Sequence, residues 1–488
     1  MVEKSLREKT VSGVSWTATE TIANYTVTFV VGIILARLLE PDDYGLIGLL
    51  TIFIAIASSL TDSGFSSALI KKKNANEDDY NTVFIINFSV GIFLYILLFF
   101  CAHAIANFFE RQELVNLVRV LSVNIIIGAL CIVQRVQLMK ALDFKSQTKL
   151  SLMSSVISGV LGISAAFAGW GVWALVVSSI SGSLIRTSLF WFYNRWIPKF
   201  KFSLASFHEL FNFGWKLMVS GLLNTVWNES YQVVIGKFYK PETLGQYTRA
   251  TGFSSIFSTN LTSIIQRVSY PVLASIQDDK IRLKAAYQKL IRVTMFVTFT
   301  CMLMLAAVAK PLILCLIGEK WLLSASFLQI ICFGSMLYPL HALNLSMLQV
   351  QGRSDLFLKL EIIKKVIAVG PLLLGIFVSI YWMLIGSVLT GIVGYYLNAY
   401  YSGPFLNYSI KNQIKDIIPS LVMALCGASI VYALSFIPIN HFALLAVQFV
   451  VGSICFYVAN EWFKLSEYIE VKNITISYVR KFINKTKR

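Results

Sequence analysis

The chain has 488 residues, of which 56% are hydrophobic and only 14% charged, against about a quarter charged in soluble domains. It carries 42 Lys and Arg against 25 Asp and Glu, a formal net charge of +17, and seven cysteines. These figures exclude a water-soluble surface, and the scattered cysteines, with no C-x-x-C, exclude a disulfide framework.

The stretches 84–102 and 366–386 contain no formal charge. A run of about 20 apolar residues crosses the hydrocarbon core as a helix, because lipid cannot satisfy an open backbone. The expected class is therefore an all-α polytopic membrane protein, with about fourteen transmembrane helices. The first, 11–36, follows a short basic tail and holds Glu20 and Asn24 with no small-residue cleavage site, so it is expected as a retained span. Next come 45–70, 82–105, 115–138, 149–169 and 172–194. These six make an N lobe over 1–205. The spans 213–237, 245–271, 287–309, 325–350, 357–380 and 382–402 make a C lobe over 206–405. Two further spans, 414–436 and 441–463, fill 406–465, and 466–488 is a basic tail, either a membrane-surface helix or a solvated segment.

The basic residues orient these spans. With the N-terminus inside, most of the 42 fall in cytoplasmic segments, as at Lys71, Lys72 and Lys73, at Lys140, Lys145 and Lys149, and at Lys485, Lys487 and Arg488. An even number of spans puts both termini in the cytoplasm. The net charge is then mainly a topological signal. It suits anionic membrane lipids on the inner face and calls for no nucleic acid.

The chain repeats itself. LARLLEPDDYGLIG at 35–48 returns as IGKFYKPETLGQYT at 235–248, so that Arg37 meets Lys237, Pro41 meets Pro241, Asp42 meets Glu242 and Gly45 meets Gly245. Leu60-Thr61 corresponds to Leu261-Thr262, and Trp173 and Gly182 to Trp382 and Gly391. A unit of about six helices enters the membrane the same way each time, which makes a parallel repeat around a central cavity and a basis for alternating access. The P-x-x-x-G motif falls at an outer turn, with Pro at a first helical position and an acid near the helix N-terminus. It reads as a well-made turn or as an outer gate.

Both lobes begin with a polar stripe. Trp16, Glu20, Asn24 and Thr28 step by four in the first span, and Lys216, Ser220, Asn224 and Asn228 do so in the seventh. Steps of four keep to one slowly turning helix face. Such stripes line a hydrated cavity or hold helices together by hydrogen bonds. Asp62, Arg186, Glu229, Arg249 and Arg267 are the other candidate intramembrane charges. Each is a cavity group, a snorkelling helix-end residue or a member of a buried ion pair.

No G-x-x-x-x-G-K-[ST], no H-E-x-x-H and no long loop for an enzyme site is present, so no ATP-hydrolysing domain, cofactor or metal is expected. ILARLLEPDDYG followed by LTDSGFSSALIKKK, within twelve duplicated helices plus two, resembles the Wzx-type polysaccharide flippases of the multidrug/oligosaccharidyl-lipid/polysaccharide exporter superfamily. The likeness is to the colanic-acid and teichuronic-acid export branch and covers essentially residues 1–465. It implies a bacterial inner-membrane protein that moves an undecaprenyl-pyrophosphate-linked oligosaccharide from the cytoplasmic to the periplasmic leaflet. Lys216, Arg186, Arg249 and Arg267 are then candidates for the pyrophosphate, and Asn24, Asn224 and Asn228 for sugar hydroxyls. Related lipid flippases carry basic residues on their first two helices, where this chain has Glu20 and Asp62. Two other functions stay open: a cation-coupled drug or metabolite antiporter, with Glu20, Asp62 or Glu229 as the proton or sodium carboxylate, and a membrane glycosyltransferase or polymerase.

Overall fold

The computed structural model of the chain describes residues 23–62, 64–473 and 476. It falls into two compact units, Met1–Thr248 and Arg249–Arg488. The sequence repeat, by contrast, divides at about residue 205.

The first unit begins with α1 (Ala23–Leu38), α2 (Pro41–Asp62), α3 (Phe65–Lys71) and α4 (Glu77–Phe108). It continues with α5 (Leu114–Leu121), α6 (Val123–Lys140), α7 (Phe144–Phe167), α8 (Val172–Asn194) and α9 (Leu204–Phe238). Helix α10 (Pro241–Ser275) starts in this unit and runs on into the second. The second unit holds α11 (Lys280–Leu316), α12 (Leu322–Ser335), α13 (Tyr338–Val350), α14 (Ser354–Ile367) and α15 (Val369–Phe377). It ends with α16 (Ile380–Ser402), α17 (Ile410–Ala433) and α18 (His441–Phe463).

Local chemistry sets the ends of these helices. Asn76 and Asp79 form a reciprocal capping box at the start of α4, at 2.9 and 3.0 Å. Asp143 caps α7 by accepting the Ser146 N–H at 3.1 Å, and Ser203 caps α9 through Ser206. Helices α2 and α10 both begin at the repeated proline, with acids in the first turn. The connection before α9 is pinned to α4. Its Lys199 N–H donates to Asn81 Oδ1, and its Ser203 N–H donates to Thr82 Oγ1. Ion pairs Lys199–Glu77 and Lys201–Asp78 flank these bonds, and Glu77 holds the Lys199 ammonium above the usual lysine range.

Ten helical segments among the described residues are long and apolar enough to span a membrane. Four of the fourteen predicted spans are not among these ten. Of the first, 11–36, only residues 23–36 are described, within α1. Helices α9 and α10 have 35 residues each but are rich in polar side chains. The span predicted at 357–380 is interrupted between α14 and α15 and starts with a charged segment. The large apolar side chains left outside the cores, such as Phe100, Phe192, Phe449 and Trp462, at 75% to 81% exposure, suit lipid. The protein is a multi-pass integral membrane protein.

The repeated turns touch each other inside the first unit. A Cβ built on Gly45 would lie 1.9 Å from the Pro241 carbonyl oxygen, and a Cβ on Gly245 would lie 1.9 Å from the Pro41 oxygen. Only glycine permits that approach. Beside it, Lys237 pairs with Glu110 at 2.9 Å and donates to the Phe108 carbonyl, and the ammonium holds the Glu110 carboxyl below its usual range.

In the second unit α11 packs against α12, α17 and α18. A buried core joins Tyr287, Ile291 and Phe299 of α11 to Leu340 of α13, Ala399 of α16 and Val431 of α17. Tyr287 donates to Asn344 Oδ1 at 2.9 Å, Ser402 donates to the same oxygen at 2.6 Å, and Arg292 pairs with Asp416 at 2.6 Å.

Candidate functional site

A polar cleft lies within the first unit, between α1, α6, α7 and α8. One part, of about 410 Å³, is lined by Asn24, Arg135, Gln147, Ser151 and Arg186 among others. A second part, of about 280 Å³, adds Ser158, Ser178 and Ser179 and shares Thr28, Ser155, Ser183 and Arg186 with the first. The shared walls make them one cleft.

The sequence builds this cleft from small polar residues at helical spacing. Ser151, Ser155, Ser158 and Gly159 recur on one face of α7, and Ser179, Gly182, Ser183 and Arg186 on one face of α8. Small side chains leave the space, and their hydroxyls give it polar walls. Ser155 Oγ donates to Asn24 Oδ1 at 3.1 Å, which ties α7 to α1. Gln147 Oε1 is buried with no hydrogen-bond partner among the described residues.

Two cations reach the cleft, Arg135 from α6 and Arg186 from α8. Both side chains are exposed, and neither has a carboxylate partner among the described residues. No Asp or Glu lines the cleft among the described residues. Two unpaired guanidiniums amid hydroxyls and amides offer charge-assisted donors to an anion and neutral groups to a polyol. Uncompensated charge at membrane depth is costly, and it is kept where water or an anionic ligand answers it.

The predicted site residues separate into three sets. Asn24 and Arg186 meet in the cleft, with Thr28. Lys216, Asn224 and Asn228 do not line it. They lie exposed on α9, whose opposite side packs on α2 and α3, and Ser220 is exposed with them. Glu229, on the same helix, accepts from Gln232 Nε2 at 2.5 Å. Asp62 ends α2 and binds the hydroxyl and N–H of Ser66, so it joins α2 to α3 and does not line the cleft. Arg249 is half-buried at the start of the second unit. Glu20 and Trp16 lie outside the described residues, and so does the side chain of Arg267.

Arg135, Gln147 and the serines of α7 and α8 were not among the predicted site residues. Arg135 falls near one end of its span, where a cation ordinarily snorkels to water. The signal that marks it is the face it shares with Gly128, Cys131 and Ile132, at steps of three and four.

Residues 34–326, more than half of the chain, match the sequence profile of a family described as polysaccharide biosynthesis protein. The chain belongs to that family. Among curated relatives of this polysaccharide biosynthesis protein, it is 27% identical over 465 residues to the teichuronic acid biosynthesis protein TuaB of Bacillus subtilis (strain 168). That alignment covers 93% of this chain and 95% of the relative. The lipopolysaccharide biosynthesis protein WzxC of Escherichia coli (strain K12) is 26% identical and covers 89% of each chain. In fold it is similar to the inward closed conformation of the lipid II flippase MurJ, with a TM-score of 0.71 at 16% identity, over 93% of this chain and 99% of that one. An inward-facing multidrug resistance transporter of the MATE family and MOP superfamily gives a TM-score of 0.62 at 16% identity, over 79% of this chain and 96% of that one.

Proposed function

We propose that this protein is a flippase for lipid-linked oligosaccharides of surface-polysaccharide synthesis. It carries undecaprenyl-pyrophosphate-linked units from the cytoplasmic to the periplasmic leaflet of a bacterial inner membrane, with both termini in the cytoplasm. The observation that carries this reading is the cleft itself: two arginines and a wall of hydroxyls and amides, with no carboxylate among its described residues. A sugar-bearing pyrophosphate cannot cross hydrocarbon unaided. Arg135 and Arg186 suit its phosphates, and Asn24, Gln147 and the serines suit its sugars. Family membership and the names of TuaB and WzxC support a substrate from polysaccharide synthesis. The MurJ-like fold suits alternating access, in which the polar headgroup shelters in protein while the lipid tail stays in the bilayer.

The exposed stripe of Lys216, Ser220, Asn224 and Asn228 on α9 extends the polar surface at membrane depth. Lys216 supplies a third cation to the transport path. A MATE-like antiporter for small cations would need an acidic cavity, and the described residues of the cleft carry the opposite sign.

The test is leaflet-resolved. In cells lacking the gene, lipid-pyrophosphate-linked oligosaccharide should accumulate on the cytoplasmic side, with loss of surface polysaccharide. The wild-type gene should restore export, whereas R135Q and R186Q should each reduce it about tenfold or more at equal expression, the scale of one lost charge-assisted contact. Normal lipid-linked sugar on both leaflets, with altered tolerance of cationic drugs, would reject the flippase in favour of the antiporter.

A further inference from the structure

A second basic site lies on the lipid-facing side of the first unit, where the end of α4 meets α5. On α4, Ile96, Phe100, His103 and Asn107 follow one another at steps of four, three and four, so they share one helix face. All four are exposed, Ile96 at 46% and Phe100 at 76%. The stripe is apolar along the span and polar toward the helix end, the same order as the chain and headgroup of a lipid.

Arg119 of α5 stands where the stripe changes character. Its guanidinium carbon lies 4.5 Å from the centre of the Phe99 ring, next to Phe100 on α4. Its Nη2 lies 3.5 Å from His103 Nδ1, too far for a strong bond, and its Nε is buried with no hydrogen-bond partner among the described residues. Arg119 has no carboxylate partner among the described residues. Of the acids on the connection before α5, Glu110 pairs with Lys237, and Glu113 precedes Arg119 by six positions, about 240° round the helix. Arginine only donates, so His103 keeps its N–H on Nε2. Asn107 Oδ1 already accepts from Gln112 Nε2 at 3.0 Å, which leaves Asn107 Nδ2 as a donor. The group therefore offers donors and positive charge.

Its depth suits a headgroup. Helix α4 has 32 residues, a length of about 48 Å against about 30 Å of hydrocarbon. Shared between the two faces, the excess is about 9 Å at each end. His103 stands about 8 Å short of the end at Phe108, and so near the level of lipid phosphates.

We propose that Arg119, His103 and Asn107 hold the headgroup of a phosphate-bearing anionic lipid, with its chain along Phe100 and Ile96. Arg119 gives the phosphate charge-assisted donors, and the Phe99 ring fixes the guanidinium in place. A merely snorkelling arginine would need neither the ring nor the donors beside it. The site does not depend on the flippase reading. Only its leaflet, the periplasmic one, rests on the topology proposed above.

Native mass spectrometry reads the bound lipid directly. The protein carries R135Q and R186Q throughout, so that the cleft does not contribute. Phosphatidylglycerol and undecaprenyl phosphate are each offered against an excess of zwitterionic phosphatidylcholine. At least one should be retained, and R119Q should lower its retention about tenfold or more, the scale of one lost charge-assisted contact. F99L and H103Q should each lower it severalfold, whereas R282Q, at the exposed start of α11, should leave it unchanged. Preference for phosphatidylglycerol would make the occupant a membrane phospholipid. Preference for undecaprenyl phosphate would make it a polyprenyl carrier. Retention of neither lipid, or equal retention in R119Q and its parent, would overturn the site. Displacement of the lipid by inorganic phosphate at equal concentration would also overturn it, because the chain would then add nothing. Thermal unfolding without added lipid separates lost binding from misfolding, and F99L and H103Q carry the test if R119Q does not fold.

Discussion

Arg135 and Arg186 show how far single residues could be read. Arg186 sits within a predicted span, where translocon scales put an uncompensated charge at about 3 kcal/mol, so the sequence makes it a candidate for a cavity, beside the snorkelling and ion-pair readings. Arg135 hides near a helix end, and only the packing of α6 against α7 and α8 turns it into the cleft. Asp62 is the reverse case, a carboxylate in a span that is bound to Ser66 four residues on. Asp143 shows what holds two of the cleft's helices, α7 and α8, together at one end. It caps α7, and Tyr193 at the end of α8 donates to it at 2.8 Å. Burial works to raise its pKa, but the bonds from Ser146 and Tyr193 prevail and hold it below the usual range. A depressed carboxylate stabilises the fold above its unfolded pKa, about 3.9, and that contribution fades as pH falls through the folded value. Asp143→Ala should therefore cost about 1 kcal/mol near neutral pH. The gap to wild type, measured by thermal unfolding in detergent, should close in acid. A gap that stays constant down to pH 3 would show that the cap acts without its charge.

At the scale of elements, hydropathy located the helices, and the polar ones resisted it for a physical reason. Helices α9 and α10 carry many polar side chains, so their composition is mixed although their length suffices. The break between α14 and α15 was invisible to a hydropathy count, because Pro371 sits inside an apolar run. The P-x-x-x-G motif was legible as a turn, but its partner was not. The structure pairs the two copies, Gly45 on Pro241 and Gly245 on Pro41. A methyl group at either glycine would force the turns apart. G45A and G245A should each lower thermal stability by about 1–3 kcal/mol, the usual range for overpacking. The double variant should fall short of the sum, since both break one contact. Strict additivity would mean that the two contacts are independent. Opening of the outer turns should also raise labelling of cysteines placed at Lys240 or Asp42 from the periplasmic side.

For the whole molecule, charge and repeat gave the outline, and packing gave the grouping. The Lys and Arg pattern predicts an even number of spans, with both termini on the cytoplasmic side. Reporter fusions test this: fusions after Arg488 and at Lys149 should report cytoplasm, and fusions at Gly169 and Lys240 should report periplasm. Opposite locations for the two termini would remove one span from the count. Repeat matching divides the chain at about residue 205, whereas compactness divides it at Thr248, because α9 packs on α2, α3 and α4. Matching residues across copies detects ancestry, and only contacts reveal which elements pack as one unit.

The paired glycine turns have a meaning for how such a chain arose. Gly45 meets Pro241 while Gly245 meets Pro41, so position i touches j and position j touches i. That is the signature of an isologous interface, the kind formed by two identical subunits about a two-fold axis. A half-length ancestor with a single P-x-x-x-G turn would already have possessed both sides of this contact. Two copies of such a half would meet through this one contact, with no further interface required.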